Sequence, residues 1–125
     1  MRILSAPIHG VLDYAVVVAF VLLPAFLGLS GTPRYLSWTL AVVHLALTAL
    51  TRFPLGAIKL VPLRVHGAIE LVVGPVLIAA PWLLGFSADA VARATYIAAG
   101  IAIFLTWLLT DYHLPQPVPV PPSAT

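Results

Sequence analysis

Apolar residues fall into four long runs, roughly Ile8–Leu29, Tyr35–Leu50, Val65–Phe86 and Ala90–Leu109, broken by short stretches rich in glycine, proline and charge. A helix needs about 20 residues to cross the hydrocarbon layer of a bilayer, and each run reaches or approaches that length with its flanks included. Backbone groups in lipid must be hydrogen-bonded within the chain, so runs of this length predict helices. The pattern predicts an all-α integral membrane four-helix bundle. The second run is the shortest, and Pro33 suits its first helical position, where a missing N–H costs nothing.

The connectors punctuate this pattern. "GLSGTP" (Gly28–Pro33) and "GFSAD" (Gly85–Asp89) read as tight turns whose serine or aspartate can cap the following helix. "TRFPLGAIKLVPLR" (Thr51–Arg64) is longer, and its "LGAIKLV" portion suits a short interfacial helix. Beyond the fourth run the proline-rich end cannot be helical, because proline removes donors and clashes with the preceding turn. The expected organisation is one transmembrane domain over residues 1–114 and a flexible tail over 115–125.

Composition strengthens the membrane reading. The chain is 62% hydrophobic and 8% charged, against about 45–50% and about 25% for soluble domains. A chain of 125 residues cannot bury that much apolar surface in a core of its own. The net charge of +2 is too small to argue for nucleic acid, and the absence of cysteine excludes disulfides and thiolate chemistry. Arg2, Arg52, Lys59 and Arg64 fall on one side of a four-span topology, with Arg34 and Arg93 on the other. The positive-inside rule then places both termini and the middle loop in the cytoplasm. Tyr35, Trp38 and Trp82 near one interface, and Tyr14, Trp107 and Tyr112 near the other, form the usual aromatic belts.

The chain also repeats itself. A shift of 57 positions lays His9 on His66, Gly10 on Gly67, Asp13 on Glu70, Pro24 on Pro81, Gly28 on Gly85 and Ser30 on Ser87. After a small insertion, "LALTALTRF" falls on "FLTWLLTDY", with Thr51 over Thr110. Each unit, residues 3–53 and 60–112, reads as a helical hairpin, so the two copies should run parallel about a pseudo-twofold along the membrane normal.

At the hairpin ends, "LPAFLGL" (Leu23–Leu29) and "APWLLGF" (Ala80–Phe86) resemble the bacterial SPW-repeat integral membrane proteins, named for a Ser-Pro-Trp motif in the first helix of each repeat. The proline and glycine match in both copies, the tryptophan only at Trp82, and the serine in neither. The resemblance implies a small multispanning protein of the bacterial cell membrane. It carries over no catalytic residue.

The chemistry-bearing residues are sparse. "HGVLD" (His9–Asp13) and "HGAIE" (His66–Glu70) each set a histidine and an acid one helical turn apart on one face. Ionisable groups within membrane helices face the bundle or water, so the two pairs are expected to share one interior near the cytoplasmic end. One reading is structural: each histidine pairs with its own acid, with Arg52 or Arg64 as counter-charge. A second is a metal site, since two imidazoles and two carboxylates suit Zn²⁺, Fe²⁺ or Mn²⁺. A third is a proton or ion relay, or a site for a small amphiphile such as a quinone. Haem fits poorly, because the acids crowd the space beside the histidines. His44 lies mid-helix opposite a repeat position held by Ile103, and Asp111 and His113 sit at the exit of the fourth run. Neither a catalytic residue nor a particular cofactor follows from these motifs. The sequence reading is a structural or ligand-binding protein rather than an enzyme, embedded in the lipid bilayer, with self-association into a homo-oligomer compatible with its few core polar groups.

Overall fold

A computed structural model describes residues 2–113. Four helices follow one another: α1 (Ala6–Phe26), α2 (Gly31–Ala49), α3 (Leu63–Leu83) and α4 (Ala90–Leu109). They form an all-α bundle of two hairpins, α1 with α2 and α3 with α4. The proline-rich tail lies outside the described residues.

The "P-x-x-x-G-apolar" segments explain how α1 and α3 stop. Gly28 and Gly85 take positive φ values of 65° and 78°, the left-handed conformation that a side chain would strain. The next residue folds back, so that Leu29 N donates to Pro24 O at 2.9 Å and Phe86 N to Pro81 O at 2.8 Å. Leu29 and Phe86 are thereby buried in the core. This stop ends α1 and α3 three residues before the apolar runs do. Pro24 has a second effect. With no N–H of its own it leaves the Phe20 carbonyl free, and Ser37 Oγ of α2 donates to that oxygen at 2.7 Å.

Two expectations about the connectors change. Asp89 caps α4, its Oδ1 accepting from Val91 N and Ala92 N at 3.0 Å each, but Ser30 makes no side-chain cap and α2 begins two residues before Pro33. The "LGAIKLV" segment is not helical. Its amides are drawn instead to the last carbonyls of α2: Ala57 N and Ile58 N donate to Ala49 O, and Leu60 N and Val61 N donate to Leu50 O, at 2.7–3.0 Å. Terminal helix carbonyls lack intrahelical donors, so this loop acts as the cap of α2.

The same contacts recur at the repeat spacing. Ile3 N and Leu4 N donate to Leu109 O as Leu60 N and Val61 N do to Leu50 O, and Asp111 N donates to Leu4 O as Arg52 N does to Val61 O. At the opposite end Tyr96 Oη reaches across from α4 to Pro33 O at 2.7 Å. A core of Phe20, Leu29, Ala41, Leu77, Ala80, Phe86, Tyr96 and Ile103 fills that half, and a smaller one of Ala6, Phe53, Leu63 and Tyr112 closes the end where α1 and α3 begin.

Outside, the bundle is greasy. Phe26 is 80% exposed and Leu83 71%, alongside a surface of exposed valine and leucine that a soluble monomer would not carry. α1, α3 and α4 are long and apolar enough to cross a membrane. α2 has 19 residues and does not reach the same mark, since it carries Arg34, Ser37, Thr39, His44 and Thr48. The chain is a multi-pass membrane protein.

Candidate metal centre

Between the two cores, near the starts of α1 and α3, His9, Asp13, His66 and Glu70 meet at the bundle axis, each buried to within 2%. The one-turn spacing inside each helix brings His9 over Asp13 and His66 over Glu70. The parallel course of α1 and α3 does the rest. The glycines that follow the histidines leave room for aromatic lids: a Cβ at Gly10 would overlap the Phe53 ring, and one at Gly67 would lie 2.5 Å from Tyr112.

Each histidine is held from behind by a threonine of the other hairpin. His9 Nδ1 lies 2.8 Å from Thr110 Oγ1, and His66 Nδ1 lies 2.7 Å from Thr51 Oγ1. A hydroxyl has one proton to donate. Thr110 gives it to Thr106 O and Thr51 to Leu47 O, both at 2.6 Å, so each Oγ1 accepts from its histidine. The Nδ1 atoms therefore carry the ring protons, and a neutral ring turns an Nε2 lone pair toward the axis.

What converges on the axis is then a set of acceptors. His9 Nε2 and His66 Nε2 are 3.5 Å apart. Asp13 Oδ2 stands 3.2 Å from the first and 3.3 Å from the second. Glu70 Oε2 is 3.5 Å from His9 Nε2, and Oε1 is 3.4 Å from His66 Nε2. Despite these short approaches, Asp13 Oδ2 and both Glu70 oxygens have no hydrogen-bond partner. Buried carboxylates without partners cost several kcal/mol apiece. The cost is avoided if a cation sits among them. Four ligands at about 2.0–2.2 Å from a metal in a tetrahedron are about 3.3–3.6 Å from one another. The two Nε2 atoms and Asp13 Oδ2 stand 3.2–3.5 Å apart, and one atom from each of the four residues lies within 4.8 Å of the others.

The other sequence candidates stand apart from this cage. His44 Nε2 approaches Asp13 Oδ1 at 3.6 Å, too long for a hydrogen bond but on the carboxylate oxygen that faces away from the histidine pair. Arg52 Nε donates to Lys59 O, Arg64 is exposed, and Asp111 accepts from His113; among the described residues only histidines approach Asp13 and Glu70 as cationic partners. Thr51 and Thr110 are the functional residues that the sequence reading did not single out, although the repeat had already laid one on the other. Tyr112, expected in an interfacial belt, is buried against Gly67 with its Oη unpartnered. Burial pushes its phenol above the usual range, and the Glu70 charge adds to this, so it stays a protonated donor.

The chain matches no family profile, no curated protein and no solved structure. The geometry of the cage carries the functional argument.

Proposed function

We propose that this protein is a metal-binding membrane protein that holds one divalent transition-metal ion between His9, Asp13, His66 and Glu70. The observation that carries the reading is the acceptor-only centre: two Nε2 lone pairs set by threonine, and carboxylate oxygens that bond to nothing else. Two neutral imidazoles and two carboxylates balance a dication, leaving no net charge in the apolar interior. Mixed nitrogen and oxygen ligands suit Zn²⁺, Fe²⁺ or Mn²⁺. Each threonine then acts as the outer partner that orients a ligating histidine.

A purely structural cluster explains the same contacts less well. Pairing each histidine with its own acid requires an N–H on Nε2, where the threonines have left a lone pair. Protonating both rings would set two imidazolium nitrogens 3.5 Å apart.

The wider reading belongs to the same proposal. The two hairpins are copies of one duplicated unit, similar to the SPW-repeat proteins of bacterial membranes, with α2 crossing alongside the other helices. Both termini and the 51–64 loop face the cytoplasm, which sets the metal near that face.

Metal analysis of untagged protein tests the central claim. After exposure to Zn²⁺, Mn²⁺ or Fe²⁺ and removal of excess, about one equivalent per chain is expected, falling below a tenth in His9→Ala plus His66→Ala. Wild-type protein that retains none of these ions overturns the reading.

A further inference from the structure

A second site lies beyond the aromatic lid. Arg2, Arg64, Trp107, Tyr112 and His113 line a cleft of about 320 Å³ at the end of the bundle where α1 and α3 begin. Among the described residues its lining contains two guanidinium groups and no carboxylate. Arg2 stacks on the Tyr112 ring, its Cζ 5.8 Å from the centroid, and that contact leaves its N–H donors open. Among the described residues neither arginine joins an ion pair or donates a hydrogen bond. Asp111, an acid that feels the Arg2 charge, already accepts from His113 N at 3.0 Å and contacts His113 Nδ1 at 3.2 Å. Its single charge leaves the two arginines with a positive excess.

The other hairpin shows what a closed version looks like. The repeat places Lys59 where the second site has Arg2, and Lys59 Nζ donates to Phe53 O at 2.9 Å. The repeat position of Arg64 is Pro7, and that of Tyr112 is Phe53. The pseudo-symmetry is thus broken at one end by two arginines, a phenol and a tryptophan, while the cation of the opposite hairpin is tied to its own backbone.

We propose that this cleft binds an oxyanion, a phosphate or carboxylate group held in the fork of Arg2 and Arg64 with Trp107 and Tyr112 as its apolar wall. Guanidinium groups present paired donors that match the oxygens of such anions. With α1, α3 and α4 embedded in lipid, the end of the bundle that holds the cleft falls at head-group depth, and the partly buried Trp107 of α4 belongs to its lining. An acidic lipid head group and a free oxyanion share this chemistry. The site does not depend on whether the cage holds a metal.

Thermal unfolding in an uncharged detergent at fixed ionic strength tests it, with short-chain phosphatidylglycerol, phosphatidylcholine of the same chains, and inorganic phosphate as probes. Phosphatidylglycerol is expected to raise the midpoint saturably and phosphatidylcholine to leave it unchanged. In Arg2→Gln plus Arg64→Gln the half-saturating concentration should rise at least tenfold, and Arg2→Lys plus Arg64→Lys should recover part of the response. If inorganic phosphate acts as phosphatidylglycerol does, the ligand is a free oxyanion; if only phosphatidylglycerol acts, it is a lipid. Equal responses to both lipids, no response to phosphatidylglycerol and phosphate alike, or a glutamine variant that responds like the wild type would each overturn the proposal. Metal content measured on the same samples separates a failure here from a failure of the metal cage.

Discussion

Thr51 and Thr110 each commit their only hydroxyl proton to the carbonyl one turn back, and in doing so they determine which histidine nitrogen is free to bind. Valine in either place keeps the shape but leaves a buried Nδ1–H without an acceptor, which frees the ring to rotate or to shift its proton. Outer partners of this kind typically contribute about 10–100-fold to metal affinity. Thr51→Val and Thr110→Val are each expected to weaken metal binding by about that factor in a chelator-competition titration. Thr51→Ser and Thr110→Ser, which keep the hydroxyl, should stay near the wild type. If the valine variants bind metal as tightly as the wild type, the threonines do not position the ligands. His44 behaves differently at this scale. It approaches only the outer oxygen of Asp13, so His44→Ala should leave one bound metal per chain in the same assay.

At the scale of elements, proline and glycine do opposite work in one helix. Pro24 and Pro81 sit inside α1 and α3, where they remove a backbone bond, yet each supplies the carbonyl that the following stop uses. The segments Pro24–Leu29 and Pro81–Phe86 are in physical terms helix terminators that bury the residue after the glycine. The α3–α4 hairpin adds a close crossing. A Cβ on Gly100 would lie 2.5 Å from Gly74 O and 2.9 Å from Ile78 N, both rigid backbone atoms. Close approach through small residues is how membrane helices gain contact in lipid, where apolar burial drives nothing. Gly100→Ala should force the helices apart and cost about 1–3 kcal/mol, read as a lower midpoint in denaturant unfolding from detergent micelles. An unchanged midpoint would mean that the crossing has room for a methyl group.

For the whole molecule, the cage joins the hairpins. His9 reaches Thr110, His66 reaches Thr51, and the chain segments beside them pair as Leu4 with Thr110 and Val61 with Thr51. Each of these four links ties one hairpin to the other. The topology follows from the same frame: α1 and α3 start together, so α2 and α4 must both return to that end. Because the chain has no cysteine, single-cysteine variants report its orientation cleanly. In intact cells an impermeant thiol reagent should label Ala88→Cys, and should label Ala57→Cys only after the membrane is opened. The reverse pattern would invert the orientation and move the cage to the outer face.

Much of this architecture was legible in the residues. Four apolar runs with glycine and proline between them specify four helices, three of them long and apolar enough to cross a membrane, because lipid leaves the backbone no other way to satisfy its amides. The paired "HGVLD" and "HGAIE" segments specify two polar faces, because residues four apart on a helix lie together. The 57-residue offset between the two segments matches His9 with His66, whose rings meet at the bundle axis. Tertiary structure alone decided the rest. No local rule says that a histidine near the start of α1 will find a threonine just past the end of α4, since that contact joins residues 101 positions apart. Nor does composition reveal that loop residues 57–61 cap α2 instead of forming a helix, or that Tyr112 leaves the interface for a space opened by Gly67. Those outcomes depend on which unsatisfied backbone groups and which vacant surfaces the packed helices bring within reach. The same packing turned two adjacent polar pairs into one set of acceptors around a common centre.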